Sequence, residues 1–95
     1  MPVLSEQEVQ KALQTLPSWT KGGPIIKRQF EFADFKKAMA FVNQVAEAAE
    51  RANHHPDITI NYNKVTMALT SHDSGGVTHR DVRLAAEINR IFGEK

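Results

Sequence analysis

The sequence contains no cysteine, one tryptophan and one tyrosine, and aromatic residues make up only 7% of it. Without thiols there is no disulfide, no thiolate nucleophile and no cysteine-based zinc site, so a reducing, cytoplasmic setting is expected. Charge of one sign is scarce as well. Twelve lysines and arginines face eleven acidic residues, a formal net charge of +1, whereas many nucleic-acid binders carry a marked basic excess. No nucleic-acid partner is expected. No apolar run approaches the roughly 20 residues of a membrane-spanning helix, and the first ten residues lack the basic start and apolar stretch of a signal peptide. What remains is an ordinary globular composition, 41% hydrophobic over 95 residues. That is too apolar for disorder and too short for two cores, so one domain over 1–95 is expected.

Local signals divide the chain into elements. Ser5 and Glu8 have capping-box spacing ahead of Val9, Ala12, Leu13 and Leu16, and Pro17 closes a first helix over about Ser5 to Thr15. Lys21 to Pro24 read as a turn. Ile26, Arg28, Phe30 and Phe32 then alternate with mostly polar neighbours, as a half-buried strand requires. Asp34 caps a long second helix. Its expected core stripe is Phe35, Ala38, Met39, Val42, Val45, Ala46 and Ala49, with Phe41, Val45, Ala48 and Ala52 as a second stripe beside it. Ile58, Ile60 and Tyr62, then Val65, Met67 and Leu69, predict a hairpin turning at Asn61 to Lys64. Ser74-Gly75-Gly76 breaks the second arm. Thr78 with Asp81 caps a third helix whose stripe is Leu84, Ala85, Ile88, Ile91 and Phe92. The pattern predicts an α+β fold, a four-stranded antiparallel sheet with three helices packed on one face.

Four histidines stand out. His54 and His55 precede one arm of the hairpin and His72 follows the other, so all three stand at its open end. The period-2 pattern puts His72 on the face away from Val65 and Met67. A single surface histidine carries little information; an adjacent pair beside a third carries more. A metal site fits poorly, because neighbours in an extended segment point in opposite directions and no His-x-x-x-His or His-Glu-x-x-His pattern is present. No metal is expected. Imidazoles with unperturbed pKa values near 6.5 suit metal-free proton exchange instead, one giving a proton while another takes one, as an elimination or hydration needs. No serine sits in a nucleophile elbow. His79 falls at the positive end of the third helix and reads as solvent-facing. Asp81 can cap that helix and also orient an imidazole. Trp19 reads as a packing residue, although an indole near a strand start can also stack on a flat heterocycle.

The segment Glu50-Arg51-Ala52-Asn53-His54-His55-Pro56, followed by Tyr62, His72 and Asp81, resembles the signature of the pterin-4a-carbinolamine dehydratases. Pro56 to Ile58 and Tyr62 to Val65 extend the likeness, which reaches Trp19 and the strand Phe30 to Phe32. Some members have Asp at the position of Asn53, and many have Trp at that of Ile58. The resemblance implies dehydration of a 4a-hydroxytetrahydropterin to the quinonoid dihydropterin, recycling the cofactor of aromatic amino-acid hydroxylases. It implies His54, His55 and His72 as catalytic groups. Glu50, Asn53, Pro56, Thr70, Ser71, Asp73 and Asp81 would contact substrate, with Trp19 nearby. It also implies no metal and no bound cofactor, the pterin being the substrate.

A different class of function remains open, a non-enzymatic dimerisation or assembly-chaperone module of the same fold, although such a module has no need of three histidines. Self-association is expected on either reading. A four-stranded sheet leaves two open edges, and Phe41, Ala48 and Ala52 are left over once the core stripe is assigned. The family forms dimers and dimers of dimers, so a homodimer or homotetramer is expected.

Overall fold

The computed structural model describes residues 2–93; Met1, Glu94 and Lys95, the ends of the expected domain, lie outside the described residues. The elements follow in the order α1 (Glu6–Leu13), β1 (Thr20–Gly22), β2 (Ile25–Glu31), α2 (Phe35–Ala52), β3 (Asp57–Asn61), β4 (Lys64–Leu69) and α3 (His79–Phe92). The four strands form one sheet in the order β1-β2-β4-β3, every neighbouring pair antiparallel. This is the α+β class read from the sequence. β1 is its short fourth strand; it takes in Lys21 and Gly22, expected as turn residues, because they pair with Ile26 and Ile25, and the turn is confined to Gly23 and Pro24.

The helix starts are built by the residues that announced them. Ser5 Oγ accepts from Glu8 N while Glu8 Oε1 accepts from Ser5 N, at 3.1 and 2.8 Å, a reciprocal cap. Asp34 Oδ1 accepts from Lys37 N at 2.8 Å. Helix α1 stops at Leu13, two residues early, because the chain tightens into turns before Pro17, which disfavours helical geometry in the residue ahead of it.

One face of the sheet carries the core. Ile26, Arg28 and Phe30 of β2 and Val65, Met67 and Leu69 of β4 are all buried, while Lys27, Gln29, Thr66 and Ala68 on the other face are exposed or half-buried. Helix α2 turns a different arc inward from the one first expected. Ala38, Phe41, Val45, Ala48 and Ala49 are buried; Phe35 is 49% exposed and Ala46 is exposed. The cause is aromatic packing, since Phe41 meets Phe30, Phe32 and Phe92 at centroid distances of 4.9, 5.0 and 5.9 Å. Phe41 and Ala48 are therefore interior residues of this chain and are not left over for a partner. Tyr62 is also displaced from expectation. It sits in the hairpin turn with φ of 55°, 65% exposed, at the end of the hairpin opposite the histidines.

Among the described residues, no helix is long and apolar enough to cross a membrane.

Candidate active site

Helix α2 delivers the first histidine pair. It ends on Asn53, whose left-handed backbone (φ 50°, ψ 42°) reverses the chain. Asparagine tolerates that conformation better than most residues. The reversal lets His54 N donate back to Ala49 O at 3.1 Å and drops the His54 ring against the start of α3. His54 is 9% exposed, and its Nε2 lies 2.5 Å from Asp81 Oδ1. His55 turns the other way, its Nε2 2.6 Å from Glu50 Oε2 in an exposed pair. Their Nε2 atoms thus face two different carboxylates.

Asp81 is fully buried and is held from both sides. Its Oδ1 faces His54, while Oδ2 accepts from Thr78 N at 2.8 Å and from Ser71 Oγ at 2.9 Å. Ser71 Oγ and Thr78 Oγ1 lie 2.9 Å apart, closing the cluster. A carboxylate in the first turn of a helix is favoured by the orphan amides there, and a buried one needs such partners. The helix-cap and imidazole-orienting roles expected of Asp81 are both present in its hydrogen bonds.

The sheet brings Ser71 to this place. Past β4 it forms an isolated bridge with Gly76, closing a turn over 72–75 in which Gly75 has φ of 85°. His72 and Asp73 are exposed on that turn. Asp73 Oδ1 accepts from Arg80 Nη2 at 2.6 Å, and this guanidinium holds the Asp73 carboxyl below the usual carboxylate range. Thr70 is occupied elsewhere, its hydroxyl donating to Pro24 O at 2.6 Å. His79, on the first residue of α3, is exposed.

A groove of about 630 Å³ opens between the end of α2 and the outer side of α3. Ala48, Ala52 and Leu84 supply apolar lining, and His54 supplies an imidazole. Arg51, Arg80, Arg83 and Arg90 line it with Glu87. The volume lies in the range of small-molecule sites. The α3 residues recur at helical spacing, offset from the buried Asp81, Leu84, Ala85 and Ile88. That spacing is written in the sequence, but arginines at helical spacing also make an ordinary solvated face, and only the fold sets Arg51 and His54 beside them.

The structure therefore joins His54, Asp81 and Ser71 in one hydrogen-bonded cluster beside the groove, with Glu50–His55 and Asp73–Arg80 as separate exposed pairs. Asn53 serves as a helix cap and Pro56 is half-buried ahead of β3. Ser71, expected to contact substrate, is fully buried with its hydroxyl turned to Asp81. Trp19 is placed away from a stacking role: it is 4% exposed, packs edge-on to Phe30 and donates Nε1–H to Asn89 Oδ1 at 2.7 Å. Its indole is a core residue.

Comparison with known proteins adds a family. Residues 2–91 match the family described as Pterin 4 alpha carbinolamine dehydratase. A Koribacter versatilis protein named for the pterin-4-alpha-carbinolamine dehydratases is 58% identical over 88 residues, covering 93% of this chain and 94% of the relative. A crystal structure described as a transcriptional coactivator/pterin dehydratase from Brucella melitensis superposes with a TM-score of 0.92 at 40% identity, over 96% of this chain and 99% of that one. A pterin dehydratase-like RuBisCO assembly factor of the alpha-carboxysome shares the fold at a TM-score of 0.68. Its identity is 19%, over 81% of this chain and 89% of that one.

Proposed function

The chain belongs to the pterin-4-alpha-carbinolamine dehydratase family, and from that premise we propose that it is a hydro-lyase acting on a 4a-hydroxytetrahydropterin. The C4a–O bond breaks, the hydroxyl leaves as water with one added proton, and a ring N–H gives up a proton as the quinonoid dihydropterin forms. The product returns to the reduced cofactor pool of aromatic amino-acid hydroxylases, in a reducing cytoplasm. His54, His55 and His72 exchange the two protons by general acid/base catalysis. The reaction is balanced in protons and needs no oxidant.

One observation carries this reading: the buried His54–Asp81 pair stands on the wall of a groove large enough for a bicyclic heterocycle. Asp81 fixes the orientation of the imidazole, and Ser71 and Thr78 fix Asp81. Ser71 is on this account a positioning residue. His55 and His72, exposed at the same end of the hairpin, can pass protons to solvent between turnovers. Because the carbinolamine also dehydrates unaided, the protein removes only part of the barrier, about 1.4 kcal/mol for each factor of ten in rate. The deciding assay generates the carbinolamine by rapid mixing and follows quinonoid formation. The rate rises in proportion to protein concentration; a rate that stays at the uncatalysed value rejects the activity.

The same chain is read as a homodimer or homotetramer. β3 is an edge strand with exposed Asp57, Thr59, Ile60 and Asn61, and an unpaired edge invites a second chain. On α2 exposed Phe35 and Ala46 line up with half-buried Met39 and Val42 in one helical stripe. Light scattering at micromolar concentration reads at least twice the 10.6 kDa chain mass; the monomer mass throughout refutes association.

A further inference from the structure

We propose that the groove between α2 and α3 binds an oxyanion carried on the side chain of the pterin, a phosphate or a carboxylate, so that pterins with an anionic substituent are the preferred ligands. This rests on the pterin reading above and specifies its substrate class. Four of the five arginines in the chain line this one groove, in a protein whose formal net charge is +1. Gathering like charges is unfavourable unless something offsets it, and here the offset within the groove is incomplete. Arg80 is paired with Asp73, and Arg90 with Glu87 three residues earlier on the same helix. Arg51 and Arg83 are exposed and have no acidic partner among the described residues.

The residue type points to the ligand. A guanidinium presents a planar fork of donors that matches two oxygens of a phosphate or carboxylate, which an ammonium does not. The chain has seven lysines, and none lines the groove. Two helices contribute, Arg51 from the last turn of α2 and the rest from α3, so an anion held between them contacts both walls. His54 lies on the same wall system, so a substituent held by the arginines leaves the heterocycle beside the imidazole. Ala48, Ala52 and Leu84 provide an apolar surface for the ring between these polar groups. A cleft in which four arginines face one glutamate also raises the local concentration of an anionic ligand.

Isothermal titration of the whole protein with three probes tests this: 6-hydroxymethyl-7,8-dihydropterin, its diphosphate, and 7,8-dihydrofolate with its glutamate carboxylates. At low salt an anionic probe binds about tenfold or more tightly than the neutral one, and the advantage shrinks as salt screens the groove. The probe that gains identifies the oxyanion as phosphate or carboxylate. In R51Q/R83Q, whose folding is checked by circular dichroism, the advantage disappears while the neutral probe binds as before. Equal affinities for all three probes overturn the proposal and leave the pterin reading standing. An advantage that survives in R51Q/R83Q overturns the assigned site. Failure of every probe to bind overturns the proposal and the pterin reading together.

Discussion

Helix α3 buries two polar side chains on its inner face, Asp81 in the first turn and Asn89 about 12 Å further along at 1.5 Å per residue. Each anchors a buried cluster. Asn89 Oδ1 accepts from Trp19 Nε1 at 2.7 Å and from Arg28 Nη1 at 2.9 Å, and Arg28 also donates to Pro17 O and lies over the Phe30 and Phe92 rings. Asp81 gathers His54, Ser71 and Thr78. Both clusters obey the rule that buried polar groups find partners. They differ in what lies beyond. The Asp81 cluster ends in an imidazole on the groove wall, whereas neither Trp19, Arg28 nor Asn89 lines that groove. Burial and hydrogen bonding describe both clusters equally, and Arg28 also reaches a smaller groove of about 350 Å³; what separates them is the group at the opening, an imidazole that can exchange a proton in one and a permanently charged guanidinium in the other.

The largest expected effect sharpens that contrast. H54Q keeps a donor for Asp81 but cannot shuttle a proton, so the enzymatic rate falls about 10²–10⁴-fold toward the uncatalysed floor. Its thermal unfolding stays near wild type. A variant that keeps the wild-type rate removes His54 from the mechanism.

N89A tests the other cluster. It leaves Trp19 N–H and the Arg28 guanidinium short of a buried acceptor, at a stability cost of about 2–3 kcal/mol, measured by urea denaturation. The dehydration rate of the protein still folded is unchanged. A rate loss matching that of H54Q would break the distinction between the clusters.

S71A sits between these extremes. Losing one hydrogen bond to Asp81 lowers stability by about 1 kcal/mol. kcat falls as well while KM holds, because the carboxylate that orients His54 has lost a donor. If kcat stays in place while stability falls, Ser71 supports the fold alone.

The smallest effect is remote from both clusters. The Ser5 backbone and hydroxyl hydrogen bonds hold the Glu8 carboxyl below its ordinary value of 4.5. A carboxyl depressed on folding stabilises the native state above its unfolded pKa, and that contribution is lost as pH falls through the folded value. Melting temperatures of wild type and E8Q therefore differ slightly at neutral pH and converge on acidification, with the rate indifferent throughout. A gap that widens on acidification contradicts the capping assignment.

Legibility in the sequence followed the length of the interaction. Caps join residues three apart: Ser5–Glu8 and Thr78–Asp81 form as their spacing announced, and Asp34 caps α2 as expected, through Lys37 N. β2 alternates along seven residues, and its buried face is the one the pattern marked, Arg28 included. Helix α2 was legible as a helix but not in its orientation. Two adjacent apolar stripes satisfy the same period, and the rings of Phe30, Phe32 and Phe92 select Phe41 and its neighbours.

The amino-acid sequence by itself determined where the helices begin, which face of β2 is apolar and which histidines stand at the open end of the hairpin, because those features rest on contacts between near neighbours. Only the tertiary structure decided that His54 meets Asp81, 27 residues away, and that Trp19 spends its indole N–H on Asn89, 70 residues away. It also set Arg51 across a groove from the α3 arginines. Spacing along a chain encodes a turn of helix or a pleat of strand. Which buried carboxylate faces which imidazole depends on how α3 stacks against the end of α2, and that follows from the packing of the whole core.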